Sequence, residues 1–113
     1  MLVVEDDDDN REVVIELLNE AGYQAKGVSG GAAALEVLST EKPCLILTDL
    51  IMSGMDGREL LLQARRLLED EVPPFVFLTA AHPSKLREVS NTILTKPIDF
   101  DRLLGVVADH CGG

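Results

Sequence analysis

Side chains that could take part in chemistry follow four apolar, strand-like segments of this sequence. The first segment runs into acidic residues, the second stops at a carboxylate, the third at a hydroxyl and the fourth at a lysine. In chain order these residues are Glu5 and Asp6, then Asp49, Thr79 and Lys96. If the segments are parallel strands, their carboxyl ends share one edge of a sheet, which is where α/β proteins bind ligands. We therefore expect the five side chains to meet.

Carboxylates that converge on one point repel each other unless a positive group lies between them. Mg²⁺ suits such a place, because it takes one or two carboxylates, keeps waters and bridges to phosphate. A lysine and a hydroxyl beside it would neutralise and hydrogen-bond a phosphoryl group in transfer. Because an acyl phosphate on aspartate is an established covalent intermediate, the pattern predicts that Asp49 is phosphorylated with Mg²⁺ as the cofactor.

Each of these residues also has a purely structural explanation. An acidic run such as 5–9 is typical of a solvated loop, and an isolated Asp49 could belong to a turn. Thr79 alone fits a strand end, and Lys96 alone fits an exposed surface. Their occurrence together, in order and at one predicted sheet edge, favours the functional explanation.

Length and composition limit the class of protein. The chain has 113 residues, 46% of them hydrophobic, which predicts one domain over residues 1–113 with a packed core. It has neither a bilayer-length apolar run nor a signal-like leader, so we expect a soluble, cytoplasmic protein without a membrane partner. The net charge of −10 argues against direct nucleic-acid binding.

The two cysteines, Cys44 and Cys111, lack metal-ligand spacing and do not lie in a disulfide-rich sequence. Cys44 begins an apolar strand, and Cys111 continues the apolar stripe of the last predicted helix. We expect both to be small core residues in a reducing compartment.

Strand-like and helix-like apolar spacings alternate along the chain. The predicted strands cover residues 2–4, 23–28, 44–48, 75–78 and 92–95. The predicted helices cover residues 8–21, 30–38, 57–68 and a last segment after Asp99, and residues 82–89 leave room for one short helix. The expected N-caps are Asp8, Asp9 or Asn10, then Ser29, and for the last helix Asp99. This alternation predicts a doubly wound α/β fold with helices on both faces of a parallel sheet.

Four sequence blocks resemble the receiver domain of the bacterial response-regulator family, and the similarity covers essentially the whole chain. They are Val3-Val4-Glu5-Asp6-Asp7, the loop from Asp49 to Gly57, Phe77-Leu78-Thr79-Ala80, and Lys96-Pro97. The resemblance implies a flavodoxin-like sheet of five strands in the order 2-1-3-4-5. It also implies two kinds of partner: a histidine kinase or histidine phosphotransfer protein as donor, and a downstream target or fused output domain.

The resemblance also implies a role for each residue of the metal site. Asp49 and Asp6 match direct Mg²⁺ ligands, and Glu5 matches an acidic neighbour that acts through water. Ile51 falls where a backbone carbonyl completes the metal shell.

The same resemblance assigns the phosphoryl site. Asp49 matches the phosphoacceptor, Thr79 the switch hydroxyl that moves toward the phosphoryl group, and Lys96 the lysine that pairs with it. The Lys96-Pro97 bond matches a peptide bond that the family holds in the cis form.

The sequence departs from the family pattern at several positions. Ser53 replaces a usual loop proline, and Ile93 stands where the family often has Tyr or Phe. The interval that holds residues 82–89 is shorter than usual by more than one helical turn, which resembles the subgroup with a shortened fourth helix. Ile51 and Ala81, the side chains expected nearest to attacking water, are apolar, so we expect slow autodephosphorylation.

Two other functions compete with a phosphorylated switch. A degenerate receiver would bind a protein partner without phosphorylation, but the five site residues Glu5, Asp6, Asp49, Thr79 and Lys96 are all retained. A Mg²⁺-dependent phosphatase would want a second carboxylate at position 51, which is isoleucine. We therefore expect a switch rather than a turnover enzyme. A stand-alone regulator and a domain of a hybrid kinase or larger regulator both fit this sequence.

Overall fold

The computed structural model describes residues 1–50, 52, 54–79 and 92–112. The strands are β1 (Leu2–Val4), β2 (Lys26–Val28), β3 (Ile46–Asp49), β4 (Phe75–Thr79) and β5 (Thr92–Thr95). The helices are α1 (Asp8–Glu20), α2 (Gly31–Leu38), α3 (Gly57–Leu68) and α4 (Phe100–Cys111), with a 3₁₀ turn at Glu69–Glu71. The predicted short helix at 82–89 lies outside the described residues, so α4 is the helix predicted to follow Asp99. Within the described residues, none of the helices has the length and apolar character that crossing a membrane requires.

The five strands form one sheet in the order β2-β1-β3-β4-β5, and all its neighbouring strands are parallel. Asp49 pairs with Leu78 on β4, and Thr79 pairs with Thr95 on β5. The carboxyl ends of β3, β4 and β5 therefore lie side by side at one edge. The predicted fold class and strand order are confirmed.

Alternate residues of the central strands supply two cores, because successive side chains point to opposite faces of a sheet. One core contains buried residues of α2 and α3 together with Leu2, Val4, Ile46, Phe75 and Phe77. The other contains buried residues of α1 and α4 together with Val3, Leu45, Leu47, Val76, Leu78 and Leu94. Burial on both faces explains why these strands read as continuous apolar runs.

Two N-caps differ from the prediction. Asp7, rather than Asp8, Asp9 or Asn10, caps α1, and its carboxylate accepts the Asn10 N–H at 3.0 Å. Asp7 is the last residue with extended backbone before the helix, so only its side chain reaches back over the first turn. For α2 the cap is Gly30, with no side-chain hydrogen bond, instead of Ser29. The predicted cap at Asp99 is confirmed, since its carboxylate accepts two backbone N–H groups of α4.

The cysteine prediction was wrong. Cys44 and Cys111 form a disulfide bond between positions 67 residues apart, with 5.5 Å between their Cα atoms. Cys44 is exposed, and Cys111 is half-buried and packs against the core of α1 and α4, so neither is a fully buried core residue. Cys44 precedes β3 at the amino-terminal edge of the sheet, and the last turn of α4 returns to that edge. The expectation of a reducing compartment, which rested on unpaired thiols, loses this support.

Gly57 marks the place where α3 begins against the end of β3. Its N–H donates to the Leu50 carbonyl at 2.7 Å. A Cβ atom at this position would lie 2.5 Å from the Asp49 carbonyl oxygen and 3.0 Å from Phe77 Cε1. Gly57 therefore permits the close approach that places α3 directly behind Asp49.

This contact predicts opposite effects for two glycine-to-alanine substitutions. We expect Gly57→Ala to lower the free energy of unfolding by about 1–3 kcal/mol, because backbone atoms must move to admit the methyl group. Gly105→Ala is the control, since Gly105 lies inside α4 and a Cβ there meets open space. We expect this substitution to stabilise the protein by up to about 1 kcal/mol through helix propensity. Urea unfolding measures both changes, and equal changes would contradict the packing argument.

Candidate functional site

The carboxyl edge of the sheet gathers the predicted chemical residues. Glu5 follows β1, Asp49 ends β3 and Thr79 ends β4, and these three side chains are buried. Asp6 is exposed, and Lys96, directly after β5, is half-buried. Thr79 directly follows Leu78, the residue of β4 that pairs with Asp49. The structure thus places all five side chains at one edge, as the sequence predicts.

The acidic residues after β1 form a tight turn against the sheet. The Glu5 N–H donates to the Val28 carbonyl of β2 at 3.1 Å. The Asp7 N–H donates to Glu5 Oε1 at 3.3 Å, and the Asp7 carboxylate caps α1. These bonds turn the chain between β1 and α1, so that Glu5 and Asp6 stay close to Asp49.

Asp49 is paired with Lys96. Lys96 Nζ lies 2.8 Å from Asp49 Oδ1, and the Asp49 side chain is only 7% exposed. The Lys96 N–H donates to the Thr79 carbonyl at 2.8 Å, which extends the pairing of β4 and β5. Burial lowers the pKa of the Lys96 ammonium, but contact with Asp49 and the charges of Glu5 and Asp6 raise it more, so the net shift is upward. Lys96 is therefore a firmly held cation. The Lys96-Pro97 bond is cis, as the resemblance implied.

The acidic residues could hold a metal ion. Glu5, Asp6 and Asp49 each offer one carboxylate oxygen, and these atoms all lie within 4.8 Å of one another. Asp49 Oδ1 is buried, and the nearby Lys96 ammonium compensates its charge. This oxygen nevertheless accepts no hydrogen bond of good geometry from the described residues. A further cation would complete its coordination, and oxygen donors of this kind suit Mg²⁺. Ile51, the predicted backbone ligand, lies outside the described residues.

The pKa of the Glu5 carboxyl reports its burial beside a second carboxyl group. Together, burial, hydrogen bonding to Asp49 and charge repulsion from Asp49 raise this pKa from 4.5 to about 7, and burial is the largest of these causes. The Asp7 N–H and the Lys96 charge act in the opposite direction. Near neutral pH, the site without metal thus holds a proton on Glu5 in part of the molecules.

This shift predicts how stability depends on pH when Mg²⁺ is absent. We expect the Glu5 carboxyl to stabilise the fold increasingly as the pH falls from about 7 to 4.5, because the folded protein binds its proton more tightly than the unfolded chain does. The contribution is complete below 4.5 and is lost as the pH rises through about 7. Thermal unfolding in EDTA measures the trend, and Glu5→Gln should flatten it. An equal slope in both proteins would contradict the shift.

Two further residues bear on the site. Ile93, at the position where the resemblance expects an aromatic residue, is half-buried and packs against the core that contains Phe77. Arg11, which the sequence analysis did not single out, donates to the Glu5 carbonyl at 2.9 Å. Its sequence signal was a lone basic residue two positions after an acidic run. Ser53, Ala81 and residues 82–89 lie outside the described residues.

Comparison with known proteins agrees with this geometry. The family model "Response regulator receiver domain" matches residues 1–108. The chain belongs to this family. The response regulator receiver protein CpdR of Brucella abortus is 34% identical over 113 residues, covering 95% of this chain and 92% of CpdR.

Solved receiver structures share the fold over nearly the whole chain. A response regulator receiver protein from Pseudomonas putida has a TM-score of 0.87 at 28% identity and covers 96% of this chain and 93% of its own. The receiver domain of the sensor histidine kinase PA1611 from Pseudomonas aeruginosa has a TM-score of 0.86 at 26% identity, with 99% and 96% covered. The latter structure has a magnesium ion coordinated in its active site cleft. This chain is therefore a receiver domain of the two-component type, a class that generally does not comprise turnover enzymes.

Proposed function

We propose that Asp49 accepts a phosphoryl group from the phosphohistidine of a histidine kinase or a histidine phosphotransfer protein. One observation carries the proposal: a buried aspartate lies 2.8 Å from a lysine ammonium and shares its surroundings with two more carboxylates. Residues 1–113 would act as one receiver domain whose phosphorylation switches a protein-interaction surface, read by a downstream target or a fused output domain.

The transfer exchanges one phosphorus bond for another. An Asp49 carboxylate oxygen attacks phosphorus, and the bond between phosphorus and the imidazole nitrogen breaks with its electron pair left on nitrogen. The donor ring carries a proton on its other nitrogen, so it leaves as neutral imidazole. Lys96 pairs with the phosphoryl oxygens, and the Thr79 hydroxyl donates a hydrogen bond to one of them in the product. The β4–β5 pairing holds the backbone of both residues. The Lys96 ammonium already lies at Asp49 before the phosphoryl group arrives, and the Thr79 hydroxyl would move toward the group after transfer.

Mg²⁺ is the proposed cofactor of this reaction. Asp6 and Asp49 would bind it directly, Glu5 through water, and the Ile51 carbonyl, by resemblance, would complete the shell. When bound, the ion neutralises charge on the transferring phosphoryl group. Metal binding would also require an ionised acidic cluster, in competition with the proton that Glu5 holds near neutral pH.

The remaining parts of the proposal follow from family and composition. We propose a cytoplasmic switch, without direct contact to nucleic acid or membrane, whose acyl phosphate hydrolyses slowly. The net charge of −10 supports the exclusion of nucleic acid. A phosphorylation-independent binding module is the alternative, and it gives no reason for a buried aspartate, a lysine and two acidic neighbours to be clustered.

A transfer assay tests the proposal. The protein is mixed with a phosphorylated histidine phosphotransfer protein, and the loss of phosphohistidine is followed over time. We expect chelation of Mg²⁺ and the Asp6→Asn substitution each to slow transfer by at least about tenfold, the usual cost of disturbing a metal's surroundings. Asp9→Asn makes the same chemical change at an exposed residue of α1 and should leave transfer unchanged. Equal rates in Asp6→Asn and wild type would contradict the metal assignment.

A further inference from the structure

We propose that Arg11 is a positioning residue, which holds the turn carrying Glu5 and Asp6 in the shape that binds Mg²⁺. The inference rests on the proposed function of that site. Arg11 Nη1 donates to the Glu5 carbonyl at 2.9 Å, and Nη2 lies 2.6 Å from Asp8 Oδ1. One guanidinium group thus joins the two ends of the segment in which Asp6 lies.

The backbone of Glu5 depends on this contact. Its N–H is bound to the Val28 carbonyl of β2, but its carbonyl lies beyond Val4, the last residue of β1. The Arg11 guanidinium supplies the hydrogen bond that this carbonyl accepts. Leaving a partly buried backbone carbonyl without a partner costs free energy. We therefore expect loss of Arg11 to shift the turn toward another donor, which would move Glu5 and Asp6 relative to Asp49.

A glycine on β2 makes room for two side chains of α1, Ile15 and Arg11. A Cβ atom on Gly27 would collide with Ile15 Cδ1 and would lie 3.0 Å from Arg11 Cδ and 3.1 Å from Cγ. The methylene groups of Arg11 therefore lie directly over the bare backbone of this strand. The Arg11 side chain is only 18% exposed, whereas that of its partner Asp8 is 78% exposed. Packing thus holds the methylene groups of Arg11, and the contacts with Glu5 and Asp8 orient the guanidinium at their end.

Position and charge predict opposite effects on Mg²⁺ binding. A cation beside an acidic site repels Mg²⁺, so on charge alone the removal of Arg11 would tighten metal binding. If Arg11 sets the shape of the turn, its removal weakens binding. Arg11→Lys separates the two effects most sharply, because lysine keeps the charge but lacks the planar fork that spans Glu5 and Asp8.

Calorimetric Mg²⁺ titration of wild type, Arg11→Lys, Arg11→Ala and the control Arg66→Lys tests this inference. Arg66 is an exposed residue near the end of α3, so its substitution should not change the affinity. We expect both Arg11 variants to bind Mg²⁺ roughly tenfold more weakly, as is usual when a residue that orients the ligands of a metal is lost. Circular dichroism in EDTA at the titration temperature verifies that each variant is folded. If Arg11→Ala is unfolded, the affinity of Arg11→Lys alone tests the inference.

The outcomes separate this inference from the proposed function. Wild-type affinity or tighter binding in Arg11→Lys would overturn the positioning role while leaving the Mg²⁺ site in place. A wild-type protein that binds no Mg²⁺ would overturn the proposed function and the role of Arg11 together. A loss of affinity in Arg66→Lys equal to that in Arg11→Lys would also overturn the inference, because the effect would not be specific to the turn.

Discussion

Replacing Lys96 with methionine is expected to lower the rate of Asp49 phosphorylation by about two to three orders of magnitude, the usual cost of removing one preorganised electrostatic group. Methionine keeps most of the length and apolar volume of the side chain but removes the ammonium group 2.8 Å from Asp49. The attacking carboxylate and the incoming phosphoryl group are both negative. Without Lys96 their repulsion is no longer offset on that side of the site.

Lys42→Met is the matched control for this prediction. Lys42 forms an ion pair with Glu71 at 2.9 Å, but both side chains are about two-thirds exposed, and Lys42 precedes β3 at the opposite edge of the sheet from Asp49. The same substitution there should change neither phosphorylation nor, by more than about 1 kcal/mol, stability. Phosphorylation rates measured with acetyl phosphate and Mg²⁺ compare the two. A Lys96→Met protein that is phosphorylated as fast as Lys42→Met would contradict the role of the ammonium.

Reduction of the Cys44–Cys111 disulfide is expected to lower the melting temperature by about 15 °C. The bond closes a loop across 67 positions, and the loss of such a cross-link costs about 4 kcal/mol in the chain-entropy model. In a domain of this size, each kcal/mol corresponds to about 4 °C. Because Cys44 is exposed, a dithiol reductant can reach the bond and exchange with it.

Thermal unfolding with and without reductant measures this effect. The double variant Cys44→Ser/Cys111→Ser should melt near the temperature of the reduced wild type and should not respond to the reductant. Phosphorylation well below the melting temperature should be retained in all forms, because the bond lies at the amino-terminal edge of the sheet and Asp49 at the carboxyl edge. An unchanged melting temperature after complete reduction would contradict a stabilising role.

Features that depend on local sequence were predicted well. The helix at Gly57–Leu68 and the strand at Thr92–Thr95 have the predicted bounds, because their apolar spacing and flanking residues are strong local signals. The convergence of Glu5, Asp6, Asp49 and Lys96 followed as well, since parallel strands bring their carboxyl ends to one edge. Burial at the helix surface follows less directly from residue type: Leu67 of α3 is apolar but half exposed.

Features that depend on the path of the chain in space were missed. The disulfide requires the last turn of α4 to lie beside Cys44. Two cysteines 67 residues apart in the sequence do not by themselves indicate that they are close in space. The choice of Asp7 as N-cap depends on where the chain leaves β1, within an acidic run that offers several candidates. The packing of Arg11, on α1, over Gly27, on β2, likewise joins two elements that are separate in the sequence.

The most direct test of the account is the intact mass of the protein after incubation with acetyl phosphate and Mg²⁺, for wild type and for Asp49→Ala. We expect the wild type to gain the mass of one phosphoryl group in Mg²⁺ and to gain no mass when EDTA replaces Mg²⁺. We expect Asp49→Ala to gain no mass in either case. A phosphoryl mass on both proteins would place the modification elsewhere, and its absence from both would show that the site does not accept a phosphoryl group. Either result would contradict the assignment of Asp49.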